Sequence, residues 1–390
     1  MTLLPNFDAL CGAMTEVRRD LHAHPELSLE EARTADIVAR HLKESGLEVT
    51  RGVGGHGVVG TLRRGGNRPA VMFRADIDAL AIEEASGVAH ASRNAGVMHA
   101  CGHDGHTAML LGAARALAED PSVTRDIHFV FQPAEERYCG ARRMIDDGLL
   151  KRFPCGMAFG LHNAPGLPVG TFATRTGPMM AASGIFSVVF TGMGGHGGGR
   201  PHLAADLTLA LAEFTIGMQT VIRRGFPPLD PIVLTLGSVH GGNENASNVM
   251  PARVKATGTM RCFTQENCAR IDTALNDLAE RVALVNGCDV KVEGEWEARP
   301  LVTDPEATEI ARTAVETLGR DLNEAPMTTG AEDFSDLTQA LPSSFMLIGN
   351  GVEKGAGGDA LHAPTYDFND KAIPHGIGYW TALARQLSQT

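Results

Sequence analysis

The sequence is short of the features that mark a secreted, membrane-spanning or nucleic-acid-binding chain. It holds 2 Trp and 3 Tyr in 390 residues, and no stretch interleaves aromatic with basic side chains. Lys and Arg number 34 against 46 Asp and Glu, a net charge of −12 that repels phosphate backbones, and no basic run offsets it locally. No apolar run reaches the roughly 18 uncharged residues that cross a bilayer. The N-terminus, MTLLPNFDALCGAMTEVRRDLHAHPE, has no basic segment leading into an apolar core and a small-residue cleavage site. The 7 cysteines are odd in number, scattered and without a CxxC pair, which argues against a disulfide framework. These absences predict a cytoplasmic protein with reduced thiols, and neither nucleic acid nor membrane as a partner.

What is present is ordinary globular composition, 43% hydrophobic and 21% charged, with length enough for two domains. Residues 6–45 read as helix with Asp8 as a candidate cap, broken at the His24-Pro25 step. From Gly57, the short apolar runs GVVGTLRR, AVMFRADID, IHFVFQPAEE and GMAFGLHN surround a helical block near Gly105 to Glu119. That texture predicts an α/β fold with a mixed, mostly parallel sheet flanked by helices. Ligands of such sheets gather at the carboxyl ends of the strands. From Ser183 to Trp296 the order becomes strand, helix, strand, strand, helix, strand, which predicts a smaller inserted α+β domain of ferredoxin-like topology. A helix from Asp304, the apolar strand SSFMLIGNG and a C-terminal helix from Asn369 return the chain to the larger domain. The predicted boundaries are 1–182 and 297–390 for the larger domain, and 183–296 for the insertion.

MHACGHDGH places His99, Cys101 and His103 at alternate positions, so extended backbone points them one way, and Asp104 is placed to cap the helix that follows. A lone His or Cys is more often core than ligand. Their density here favours a metal, with His99 the weakest of the set and kept as a supporting residue. In FQPAEE, Glu135 and Glu136 stand adjacent at the end of an apolar run, where two ionised carboxylates repel unless a cation is near. A solvated surface pair is the plain alternative. In a hydrolase, one carboxylate binds metal while its neighbour moves the proton of a water. FGLHN and ALHAPTYDFND add His162 and His362. Cys101, His103, Glu136, His162 and His362 thus come from separate strand ends in numbers near what two ions sharing a bridge require. Zinc suits the Cys/His mixture best, and Mn, Co and Ni are also compatible.

The ordered set HPE, RADIDAL, HACGHDGH, QPAEE, LHN, GGH followed by RPH, NVMP, GTMR, GAEDF and LHAPTYDFND resembles the hippurate hydrolase and auxin-conjugate amidohydrolase branch of the aminoacylase/carboxypeptidase superfamily, metallopeptidase family 20. The resemblance runs from His22 to Asp370. It implies two divalent ions, with Cys101 bridging, His103 and His162 on one ion, and Glu136 and His362 on the other. It implies Glu135 as general base, passing a proton from the attacking water to the leaving amine, and His196 as a residue that reaches across a dimer interface to stabilise the oxyanion. Asn248 and Arg261 match positions that hold the carboxylate of the substrate, Asp76 one that orients a ligand from behind, and Glu332 one near the metals. The larger domain would then be catalytic and the insertion a lid and dimerisation domain, in a homodimer or a dimer of dimers.

The activity implied is hydrolysis of N-acyl or N-aroyl amino acids. A carboxypeptidase or dipeptidase with the same two-metal site is the nearest alternative; a metal-free binding protein and a thiol enzyme using Cys101 with His103 are more distant ones. The sequence departs from the family pattern at Ala81, where proline is usual, at Ala164, where an aromatic is common, and at Gly197, Gly198 and Gly199, which could loosen the turn at His196.

Overall fold

Gly57–Leu62, Val71–Asp76 and Ile127–Gln132 are buried at every position, as strands must be when both faces of their sheet are covered. The structure, a computed structural model, describes residues 6–389. Those strands belong to an 8-stranded sheet whose order is Glu48–Val53, Gly57–Leu62, Ile127–Gln132, Val71–Asp76, Met157–Pro165, Ser343–Gly351, Phe172–Thr174 and Leu322–Glu324. The central run from Ile127–Gln132 through Val71–Asp76 and Met157–Pro165 to Ser343–Gly351 is parallel. Antiparallel pairings flank it on each side, so the sheet is mixed, as predicted.

Its core is centred on Phe73, whose ring stacks on Trp380 at 4.8 Å and meets Phe129 and Phe159 edge-on at 5.9 and 6.0 Å. Helix His103–Ala118 is buried along nearly its whole length. It takes Phe7–Ala23 and Ile373–Gln389 as neighbours, and beyond its polar first turns it is mostly apolar because little of it meets water. The predicted break at His24-Pro25 is a true end: Phe7–Ala23 stops there and a second helix runs Ala32–Glu44. Glu26 caps that second helix, its carboxylate accepting from the Arg33 and Thr34 amides at 2.9 and 2.8 Å.

Two caps read from sequence are corrected. Asp8 lies inside the first turn of its helix and caps nothing. Asp104 lies inside the first turn of His103–Ala118, where Gly102 takes the cap position with a left-handed φ of 90°. The Asp104 carboxylate is instead claimed by Arg18 Nε and His22 Nδ1, each at 2.8 Å.

The chain divides into two units, one made of the residues through Gly177 with Thr303–Pro326 and those from Asp333 onward, the other of Pro178–Val302 with Met327–Glu332. The second unit holds a 4-stranded antiparallel sheet in the order Val233–Gly241, Arg253–Cys262, Ala182–Thr191, Asp289–Ala298. Helices Leu207–Gly225 and Gln265–Asn286 pack against it and each other around Phe186, Phe190, Phe214 and Ile271. Asp206 and Thr264 cap these helices with their side chains. Among the described residues no helix is long and apolar enough to cross a membrane.

Candidate metal centre

Val71–Asp76 and Ile127–Gln132 run parallel with Asp76 opposite Gln132, so the segments that follow them leave the sheet at one edge. Asp78 follows the first, and Glu135 and Glu136 the second. Met157–Pro165, parallel to Val71–Asp76, brings His162 to the same end. Cys101 and His103 straddle Gly102, where a side chain would be strained by φ 90° and its Cβ would lie 2.4 Å from Asn163 Nδ2. His362 holds a left-handed φ of 64°, unusual for a non-glycine residue, and is fixed by donating its N–H to Ala100 O at 2.8 Å.

The predicted ligands of the first unit converge. Cys101 Sγ lies 3.5 Å from His162 Nε2. Donor atoms of Cys101, Glu136 and His362 fall within 4.8 Å of one another, as do those of His103, Glu135 and Glu136. His362 Nε2 is 3.4 Å from Glu136 Oε1, and His103 Nε2 is 3.9 Å from both Glu136 Oε1 and Glu135 Oε2. His103 Nε2 and Glu136 Oε1 are buried without a hydrogen-bond partner, which is costly for polar atoms. An ion bonded at about 2.1 Å to each would span their separation. The orphaned pair and the thiol, imidazole and carboxylate donors around it therefore fit a divalent metal.

Ring orientation supports the same use. His103 Nδ1 faces Asp78, 2.9 Å from its carbonyl and 3.2 Å from Oδ1, so that nitrogen carries the proton and Nε2 is turned toward the cluster. His162 donates from Nδ1 to Asn163 O at 2.7 Å, leaving the Nε2 lone pair toward Cys101. Burial works to lower the His103 pKa, but Asp76, Asp78 and Glu136 outweigh it and push it up to about 10. A field that favours a proton so strongly also favours a cation. At His162 burial dominates and lowers the pKa to about 4, so its ring is neutral.

Behind the candidate ligands, sequence reading named Asp76 but missed His106. His106, one turn after His103, donates from Nδ1 to Asp76 Oδ1 at 2.6 Å, while its Nε2 accepts the Asn163 amide at 2.9 Å. Both nitrogens are committed, so His106 joins the His162 strand end to Asp76 instead of facing the cluster. Asp76 is also paired with Arg74 at 2.7 Å. The i, i+3 spacing of the two histidines in HDGH was the available signal, since it puts them on one helix face. His99 is buried, with both ring nitrogens unpartnered, and burial lowers its pKa to about 4.

The remaining candidates lie in the second unit, where Glu332 is buried. His196 is exposed in a two-residue strand opposite Val249. Its Nδ1 accepts from the Gly198 and Gly199 amides at 3.2 and 3.1 Å, so the other nitrogen carries the proton and is presented as a donor. The Gly198 and Gly199 amides thus hold the histidine, and Gly197 donates to Asn248 O at 2.8 Å. His196 and Asn248 share a cavity of about 690 Å³ with Gly195, Met250 and Arg253. Arg261 does not line it. It stands at the far end of Arg253–Cys262, giving Nη1 to Met260 O at 2.9 Å and to Thr259 Oγ1.

Known proteins resemble this chain over nearly its whole length. The Peptidase family M20/M25/M40 model matches residues 72–386. The chain is 35% identical over 383 residues to an N-acetyl-L-cysteine deacetylase of Bacillus subtilis, covering 98% of this chain and 90% of that one. It is 32% identical to a hippurate hydrolase of Campylobacter jejuni, covering 98% and 99% of the two. The crystal structure of the Bacillus subtilis YxeP protein, described as a dinuclear metal-binding peptidase of the M20 family, superposes with a TM-score of 0.86 at 29% identity, covering 98% of this chain and 99% of that one. With match and coverage of this extent, the chain belongs to peptidase family M20/M25/M40.

Proposed function

We propose that the chain hydrolyses the amide bond of N-acyl or N-aroyl amino acids, releasing a carboxylic acid and a free amino acid. The observation that carries this reading is the meeting of the Cys101, Glu136 and His362 donor atoms within 4.8 Å, with His103, Glu135 and His162 alongside. Relatives named for N-acetyl-L-cysteine and hippurate support it, since both compounds are N-acyl amino acids.

In this reading Cys101, His103, Glu136, His162 and His362 would hold two divalent ions, with zinc best suited to the donors. Such ions supply Lewis acidity to the amide carbonyl and acidify water. Glu135, buried beside Glu136 on a short turn, takes the proton from the attacking water and returns it to the leaving amine. Asp76 steadies the ligands through His106, and Glu332 adds a carboxylate near the ions. His196 donates a hydrogen bond to the developing oxyanion across a homodimer. Asn248, which lines the cavity with His196, would reach the substrate carboxylate across the homodimer with it, and Arg261 would meet that carboxylate from the other chain through the forked face of its guanidinium. Residues 183–296 serve as lid and dimerisation domain, in a cytoplasmic enzyme.

A panel of N-acetyl, N-benzoyl and long-chain N-acyl amino acids, run against free dipeptides on metal-loaded protein, tests the reading. Faster turnover of the acyl substrates is expected. Faster turnover of dipeptides would make the chain a dipeptidase, and full activity after metal removal would point to a thiol enzyme instead. Structure already disfavours Cys101 with His103 as a thiol–base pair, because His103 turns its Nδ1 to Asp78 and its Nε2 to carboxylates.

A further inference from the structure

The second unit brings together two thiols that the proposed reaction does not use. Cys262 ends the strand Arg253–Cys262, and Cys268 lies near the start of helix Gln265–Asn286. Their sulfurs are 3.1 Å apart, inside the roughly 3.5–4.0 Å at which unbonded heavy atoms usually rest. Both are buried, at 0% and 2% exposure, in the core between the sheet and its helices.

The turn between them is fixed. The Thr264 hydroxyl accepts the Asn267 amide at 3.1 Å, and its carbonyl accepts the Cys268 amide at 3.1 Å and the Cys262 thiol at 3.6 Å. A disulfide requires sulfurs at about 2.05 Å, so the pair has roughly 1 Å to close. The hydrogen bond from Cys268 holds the Cys262 thiol below its ordinary pKa, while that same bond and burial push Cys268 up. Burial leaves Cys155 as a contrast, pushed up to about 12. Either thiol can donate to the other, so either sulfur can attack and its neighbour resolve.

We propose that Cys262 and Cys268 are a reversible disulfide site that closes when the protein meets hydrogen peroxide. One sulfur of the pair, as thiolate, takes an oxygen from peroxide as the O–O bond breaks and becomes a sulfenic acid, and the hydroxide that leaves takes up the proton the thiol released and becomes water. The neighbouring thiol then attacks the sulfenic sulfur, the S–S bond forms, and its proton leaves with the second oxygen as water. Two thiols lose two protons and two electrons, and one peroxide becomes two waters. A dithiol reductant reverses the bond by exchange. Cys262 follows Arg261 directly, so the crosslink ties the strand end that carries Arg261 to the helix start. The site stands independently of the hydrolytic reading.

The test treats full-length, metal-loaded protein with hydrogen peroxide, alkylates the remaining thiols under denaturing conditions, and maps the peptides. A Cys262–Cys268 crosslink should form. It should vanish with dithiothreitol and be absent from Cys268→Ser. The thermal midpoint should rise on oxidation of the wild type and stay put in Cys268→Ser, with Cys268→Ala serving if the serine variant does not fold. Recovery of Cys262 and Cys268 as alkylated thiols while other cysteines oxidise would overturn the proposal, as would conversion of Cys262 to a sulfinic acid that dithiothreitol does not reduce.

Discussion

Raising the pH from 6 to 9.5 should loosen the anchor that holds the start of helix His103–Ala118. His22 is fully buried between two carboxylates, with Nδ1 2.8 Å from Asp104 Oδ2 and Nε2 3.3 Å from Glu84 Oε1. Burial alone would lower its pKa, but Asp104 and then Glu84 reverse the sign and push it up to about 9. In the unfolded chain the same imidazole titrates near 6.5. Because the folded value is the higher one, protonated His22 contributes stability fully below about pH 6.5, and that contribution drains away as pH rises through 9. The difference of about 2.5 units corresponds to about 3 kcal/mol. Denaturant unfolding of metal-free wild type and His22→Gln, followed by near-ultraviolet circular dichroism, reads it. The wild type should be the more stable by about this amount at pH 6, and the gap should close by pH 9.5. A gap that stays constant across that window would show that His22 folds in as a neutral ring, and the reasoning would fail.

Four other outcomes follow. Glu135→Gln should lower kcat by roughly 10²–10⁴-fold while leaving metal content unchanged, read by steady-state kinetics beside elemental analysis. His106→Gln should weaken metal binding roughly 10–100-fold in a chelator competition, because the ring that ties Asn163 to Asp76 is lost though no ligand is removed. Gly102→Ala places a Cβ 2.4 Å from Asn163 Nδ2 at a left-handed φ, and should cost about 1–3 kcal/mol in unfolding free energy together with most metal affinity. Mixing inactive His196→Ala and Glu135→Gln subunits should restore part of the activity if the histidine acts across a dimer. No rescue would place it within its own chain.

Much of the candidate centre was legible because the residues that converge in it are signalled by local pattern. Alternation in HACGH, the adjacent glutamates after an apolar run, and histidines at strand ends each state a direction or a cost in a few residues. Asp78 and His106 were not legible as partners, since their roles depend on which ring nitrogen faces which neighbour, and that is settled only when helix His103–Ala118 packs against the strand ends. Asp104 shows the same limit. Its sequence position suits a cap, but Arg18 and His22 from the first helix outbid the local amides for its carboxylate. The mixed, mostly parallel sheet was readable from its short, largely apolar strands, whereas Phe172–Thr174 and Leu322–Glu324, three residues each, are too short to show a period.

The most direct test of the central claim is anomalous scattering from crystals of zinc-loaded protein at the zinc absorption edge. The account predicts two peaks, both among Cys101, His103, Glu136, His162 and His362. A lone peak, or one held by Asp76 and His106 with Glu136 and His362 turned away, would contradict it.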